Sequence, residues 1–214
     1  MLARAGVSRV LTAITAAVAW FALVLQFVLL LGATWNTKGP ALATIQFFSY
    51  FTILSNLLVA LVCTFAMRDA GGFFARASVR GATALYIAVT GGIYLVILSS
   101  LWAPTGWQWL ADTSLHYAVP LLYLSLWLVF EPPRVLVWSD ALRWLSFPIA
   151  YFAWAIARGA WLGEYPYPFI DAGALGYARV LVNAMGVLAL FVAIGFALIA
   201  YNRRGAIPAS QPAR

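Results

Sequence analysis

His116 is the only histidine in the chain, and it lies inside an apolar run, in Asp112-Thr113-Ser114-Leu115-His116-Tyr117-Ala118-Val119-Pro120. An ionisable side chain at membrane depth is costly, so it faces protein or a cavity and marks a functional position by default. An imidazole is the usual general base near neutral pH. A second polar island is Ser49-Tyr50-Phe51-Thr52-Ile53-Leu54-Ser55-Asn56, four side-chain hydroxyls and an amide within an oily segment. A threonine hydroxyl beside an imidazole is, in outline, a nucleophile and its base. No carboxylate or thiolate set with ligand spacing surrounds His116, so no metal site is expected, and no cofactor is expected either. The bland alternative is that Ser, Thr and Asn only hold helices together by hydrogen bonds, with His116 a buried, hydrogen-bonded residue.

The elements that must position these groups follow from composition. The 214 residues are 64% hydrophobic and 9% charged, whereas a soluble domain carries about a quarter charged residues. The class is an all-α integral membrane protein. The net charge of +7 is scattered at the ends of apolar runs, so it is no nucleic-acid footprint and no nucleic-acid partner is expected. A single cysteine, Cys63, builds no disulfide framework. A spanning helix needs roughly 20 mostly apolar residues, and six segments meet this: about 8–33, 43–67, 80–102, 109–130, 141–162 and 175–201. Turn-like or charged breaks separate them, such as Asn36-Thr37-Lys38-Gly39-Pro40 and Glu131-Pro132-Pro133-Arg134. The reading is one six-span domain over 1–202 and a disordered cytoplasmic tail over 203–214. Ten basic residues fall at the N-terminus, second loop, fourth loop and C-terminus, against Lys38, Arg158 and Arg179 elsewhere. That bias places both termini in the cytoplasm. Trp102, Trp107 and Trp109 at one interface, and Trp138 and Trp144 at the other, suit aromatic belts. The sequence specifies no oligomeric state.

Spacing then says which groups share a face. Ser49, Thr52, Asn56 and Cys63 stand at i, i+3, i+7 and i+14 of the second span, a stripe that should face the bundle. Tyr86, Thr90 and Tyr94 share a face of the third span. Tyr151, Trp154, Arg158 and Trp161 share one of the fifth, and Arg179, Asn183 and Gly186 one of the sixth. The second and fourth spans run in the same direction. At 1.5 Å per residue Thr52 lies roughly 14 Å and His116 roughly 10 Å below their span starts, so the two can meet in the outer half of the membrane. Asp112 lies one helical turn before His116, where it either orients the imidazole or simply sits in the loop. Arg158 and Arg179 sit near outer ends, where they either snorkel to headgroups or hold a carboxylate or phosphate with a planar fork of donors.

Three stretches carry a family resemblance: Tyr50-Phe51-Thr52 in the second span, Leu115-His116-Tyr117-Ala118-Val119-Pro120 opening the fourth, and Trp161 through Tyr165-Pro166-Tyr167-Pro168-Phe169 before the sixth. In order and spacing, over nearly all six spans, the chain resembles a bacterial member of the family of androgen-induced protein and androgen-dependent TFPI-regulating protein. That resemblance implies a multi-span threonine hydrolase of fatty acid esters of hydroxy fatty acids, with Thr52 as nucleophile and His116 as its partner. The Ser55-Asn56 pair following the threonine departs from the family's pattern.

The sequence therefore leads to the expectation of a lipid-ester hydrolase in the bacterial inner membrane, acting on a fatty-ester substrate among membrane lipids. Its catalytic residues are Thr52 and His116. Asn56, Ser49 or a backbone amide is the expected oxyanion donor, and Arg158, Arg179, Asn183 and Tyr94 complete the expected substrate-binding set. The site is expected in a cavity between the second, third, fourth and sixth spans, open to the outer leaflet. The rival is a non-enzymatic six-span lipid-binding protein or carrier, with the same polar stripes lining its path.

Overall fold

The computed structural model describes residues 2–68 and 71–204. Among them every regular element is helical, and there is no strand. In chain order the α-helices are α1 Leu2–Thr34, α2 Gly39–Phe48, α3 Phe51–Met67, α4 Ala77–Ile93, α5 Gly106–Thr113, α6 Val119–Phe130, α7 Trp138–Arg143, α8 Ser146–Leu162, α9 Ala172–Leu175 and α10 Tyr177–Arg204. Wide π-type turns continue α4 through Tyr94–Leu98 and join α5 to α6 through Ser114–Ala118. Four helical runs are long and apolar enough to cross a membrane: Arg4–Thr34, Ala77–Leu98, Gly106–Phe130 and Tyr177–Arg204. The pair α2–α3 would make a fifth. Large apolar side chains stand outward on these helices, among them Val96 at 80% and Met185 at 70% exposure. Apolar surface on that scale faces a partner or lipid, not water.

Two expected spans are broken. The run 43–67 is bent by 75° between α2 and α3. No proline or glycine causes this. Ser49 turns its hydroxyl back onto the Ile45 carbonyl at 2.6 Å, a local bond that competes with the helix. Tyr151 of α8 donates to the Ser49 carbonyl at 3.0 Å, and Trp154 donates to the Ser49 hydroxyl at 3.3 Å. Side chains from α8 thus satisfy the polar groups that the bend exposes. Tyr50 is extended at φ −94° and ψ 129°, and α3 starts afresh at Phe51. The run 141–162 divides at Trp144–Leu145 into α7 and α8. With 17 residues, α8 reaches about 25 Å, a little less than a bilayer core of about 30 Å.

In lipid the packing of helices rests on close contact and internal hydrogen bonds. α1 lies along α3 with a buried stripe of small residues, Ala16, Ala19 and Ala22, and Trp20 donates to Thr64 at 3.0 Å. The core between α3, α4, α6 and α10 is filled by Leu85, Ile87, Val119, Tyr123 and Ile199. The first and last described residues lie at one end, beside the end of α6. There Arg80 forks onto Glu131 at 2.8 and 2.6 Å, Arg4 donates to the Val129 carbonyl at 2.7 Å, and Asn202 donates to the Pro132 carbonyl at 2.8 Å. Trp144, expected in an aromatic belt, is instead buried here. Its N–H donates to Ser78 at 3.0 Å, and its ring lies against Gly81. α10 runs through Arg203 and Arg204, so those two belong to the helix. The rest of the expected tail, 205–214, lies outside the described residues.

Candidate functional site

Thr52 is the second residue of α3, directly after the bend. The first N–H groups of a helix lack the usual partner four residues back, so breaking the span here leaves the Thr52 N–H to a partner outside α3 and places the positive end of a helix dipole at Thr52. His116 sits in the π-type turn between α5 and α6. Pro120, four residues on, has no N–H for the His116 carbonyl, and its ring would clash there in a regular helix. The wider turn accommodates the proline ring, with Val119 N–H donating to Ser114. Gly91 of α4 lets the helices approach at this point: a methyl there would stand 3.2 Å from Pro120 Cβ and 3.3 Å from the His116 carbonyl.

These features bring Thr52 and His116 together, with Oγ1 to Nε2 at 3.2 Å. The other ring nitrogen, Nδ1, faces only acceptors: the Asp112 carbonyl at 3.0 Å and the Asp112 carboxylate oxygen Oδ1 at 3.2 Å. Nδ1 therefore carries the hydrogen, and Nε2 presents a lone pair to the threonine hydroxyl. Asp112 is buried at 4% exposure, and its second oxygen accepts a bond from the Tyr94 hydroxyl. The Tyr94 ring stacks on the imidazole, centroids 3.8 Å apart and planes 12° apart. Tyr94 and His116 each stand in a π-type turn, an irregularity frequent at functional sites. Tyr94, expected to touch substrate, is placed behind the histidine instead.

Asn56 does not offer a donor to an oxyanion. Its amide is fully buried, and both N–H bonds are used, on the Thr52 carbonyl at 2.8 Å and the Leu115 carbonyl at 3.1 Å. It ties the backbone of Thr52 to Leu115, the residue beside His116. Ser49 is likewise committed, to Ile45 and Trp154 at the bend. Because the bend separates Ser49 from α3, the stripe expected along one helix holds only from Thr52 onward.

Arg158 is buried at 4% exposure, donates to the Glu164 carbonyl at 2.7 Å and lies 3.7 Å from the Glu164 carboxylate. Lys38 pairs with the same carboxylate, which holds the Glu164 carboxyl below its ordinary range through that bond. Asn183 is half-buried and donates to the Phe169 carbonyl at 2.8 Å. Arg179 is exposed on α10. Arg158 and Asn183 thus hold the loop between α8 and α9, and neither they nor Arg179 line the cavity beside Thr52.

That cavity measures about 250 Å³. Its walls come from α3, α4, α8, α10 and the α8–α9 loop, so α8 takes the place expected for the fourth span. His116 lies behind Thr52, not in the wall. No charged side chain lines the space. Its outer walls include the exposed Ile149, Leu181 and Met185, which places an opening between α8 and α10 on the side those helices turn to lipid. Sequence reasoning missed one polar wall residue, Tyr167. The Thr52 amide N–H donates to its hydroxyl oxygen at 3.2 Å, and the Thr52 hydroxyl lies 3.4 Å away. The signal available was the Pro166-Tyr167-Pro168 turn, whose prolines limit where the ring can go.

Among the described residues no group of three or more His, Cys, Asp or Glu is placed to hold a metal. The site defines a class: an all-helical chain with apolar helices long enough to cross a membrane, carrying a threonine–histidine–aspartate chain of contacts at the wall of an apolar cavity. No protein-family model matches the chain, and neither does any curated protein or solved structure.

Proposed function

We propose that the chain is an intramembrane threonine hydrolase of lipid esters, cleaving fatty acid esters of hydroxy fatty acids or similar esters. The observation that carries this is the Thr52–His116 contact of 3.2 Å, with the far ring nitrogen held by a buried carboxylate. A threonine that served only as helix glue would not require a histidine fixed in one tautomer. The resemblance in the three sequence stretches supports the same chemistry. The reading includes six spans, α2–α3 and α7–α8 each counting as one, with both termini in the cytoplasm of a bacterial inner membrane. The first and last described helices both have an end at the arginine-rich side, which supports that orientation.

In this mechanism Thr52 Oγ1 attacks the ester carbonyl carbon while its proton passes to His116 Nε2. A C–O bond forms, the carbonyl pair moves to oxygen, and the imidazolium is stabilised by Asp112. Collapse breaks the bond to the leaving alkoxide, which takes the proton from His116. Water then attacks the acyl-threonine with His116 again as base, releasing the fatty acid and restoring Thr52. The dry wall strengthens every dipole acting on the developing charge.

The test is hydrolysis of a fatty acid ester of a hydroxy fatty acid by the purified protein in detergent, beside Thr52→Ala. Release of fatty acid by the wild type, lost in a folded Thr52→Ala, supports the reading. Binding of the ester without cleavage, or equal cleavage by Thr52→Ala, hands the cavity to the lipid-carrier reading.

A further inference from the structure

Hydrolysis through Thr52 requires a donor for the oxyanion, and both side chains expected to supply it, Asn56 and Ser49, have their hydrogens on backbone carbonyls. The polar side chains in the cavity wall are Thr52, Thr90, Tyr151 and Tyr167. Thr90 donates to the Tyr86 carbonyl at 2.9 Å, and Tyr151 donates to the Ser49 carbonyl at 3.0 Å. Resting on the hydrolase reading above, we infer that Tyr167 is a further catalytic residue, whose hydroxyl donates to the oxyanion formed when Thr52 attacks.

Three observations converge on Tyr167. Its oxygen accepts the Thr52 amide N–H at the positive end of α3. Accepting that bond polarises its own O–H and makes it a stronger donor. Its oxygen lies 3.4 Å from Thr52 Oγ1. With the Thr52 hydrogen given to His116, Tyr167 is the donor in that contact, and the oxyanion forms only one carbon from Thr52 Oγ1. A small turn of the O–H therefore follows the charge as it moves, and no proton is transferred. The ring is held in advance. It stacks on Phe169 at 5.3 Å and 3° and meets Tyr50 edge-on at 5.9 Å. Its loop is fastened by Arg158 at Glu164 and by Asn183 at Phe169. A donor fixed before reaction is what makes such stabilisation effective.

The experiment uses the full chain in detergent with p-nitrophenyl decanoate as substrate and a decyl trifluoromethyl ketone, which forms a tetrahedral adduct on a hydroxyl nucleophile. Tyr167→Phe keeps the ring and removes only the O–H. The expected result is a fall in kcat of about 10²-fold or more with KM nearly unchanged, and a matching loss of affinity for the trifluoromethyl ketone. Affinity for decanoic acid, which forms no adduct, stays the same. If Tyr167→Phe does not fold, Asn183→Ala, which frees the loop at Phe169, is expected to lower kcat and ketone affinity together at constant KM. Wild-type kcat and ketone affinity in a folded Tyr167→Phe, or in Asn183→Ala where that variant stands in, overturn the inference. Thr52→Ala separates the two claims. If it is inactive while Tyr167→Phe is fully active, only the role of Tyr167 falls. If it is as active as the wild type, the hydrolase reading falls and this inference with it.

Discussion

At the scale of single residues the account turns on a proton path. Asp112→Asn retains the shape of the side chain but offers Nδ1 an amide that can donate as well as accept, which permits the wrong tautomer. The expected result is a kcat lower by about 10²- to 10⁴-fold with KM little changed, measured on a soluble chromogenic ester. His116→Gln can donate but cannot take a proton, so it is expected to lose most activity at every pH. Full activity in either variant would return the histidine to a structural role. Thr52 and His116 were legible as a pair because each is a polar group stranded in an apolar run, at matched depth in spans running the same way. Asp112 was legible from its spacing of one turn. Tyr167 was not, because its place beside Thr52 joins residues 115 apart in sequence. The donor roles expected of Asn56 and Ser49 failed for a related reason. Spacing shows which face a side chain is on but not which carbonyl already holds its hydrogens.

At the scale of elements the bend between α2 and α3 and the α8–α9 loop decide the site. The bend has no proline or glycine signature, and its stability comes from Tyr151 and Trp154 of a helix about a hundred residues away, so periodicity read a single span. The loop is clamped by packing as well as hydrogen bonds. A methyl on Gly159 would stand 2.2 Å from the Tyr165 ring, so Gly159→Ala is expected to displace the loop, lowering both activity and the thermal midpoint. A variant with unchanged midpoint and rate would show that the loop does not need this contact. The Lys38–Glu164 pair adds a pH dependence. The Glu164 carboxyl is held below its ordinary value of 4.5, chiefly by its bond from Lys38. A depressed carboxyl contributes stability that is present above its unfolded value and lost as pH falls through the folded one. Protection of the amides in residues 163–171, taken relative to their intrinsic exchange rates at each pH, is therefore expected to drop on acidification below the ordinary carboxyl range. Lys38→Ala should abolish that step, whereas a step that persists in it would place the titrating group elsewhere.

At the scale of the whole molecule the separation of charge gives an orientation that can be measured. The arginine-rich end gathers the first and last described residues, and the opposite end carries Lys38, Arg158 and the loop over the cavity. Cys63 is buried at 1% exposure, so the native chain should be silent to thiol reagents. Lys38→Cys is expected to react with an impermeant maleimide on intact spheroplasts, and Arg204→Cys only after the membrane is opened. The reverse pattern would invert the topology. The class of the molecule was legible from composition and run length, and the end-to-end charge bias from the loops. The position of α8 was not, because a 17-residue helix after a break carries little length signal of its own. The central claim, that Thr52 is a nucleophile activated by His116, is tested most directly by covalent capture. The purified protein is treated with a lipophilic fluorophosphonate, and the modified residue is located by peptide mass mapping. The account predicts one adduct, on Thr52, absent in Thr52→Ala and formed far more slowly in His116→Gln. An esterase-active protein that is labelled elsewhere, or labelled equally fast in His116→Gln, would contradict it.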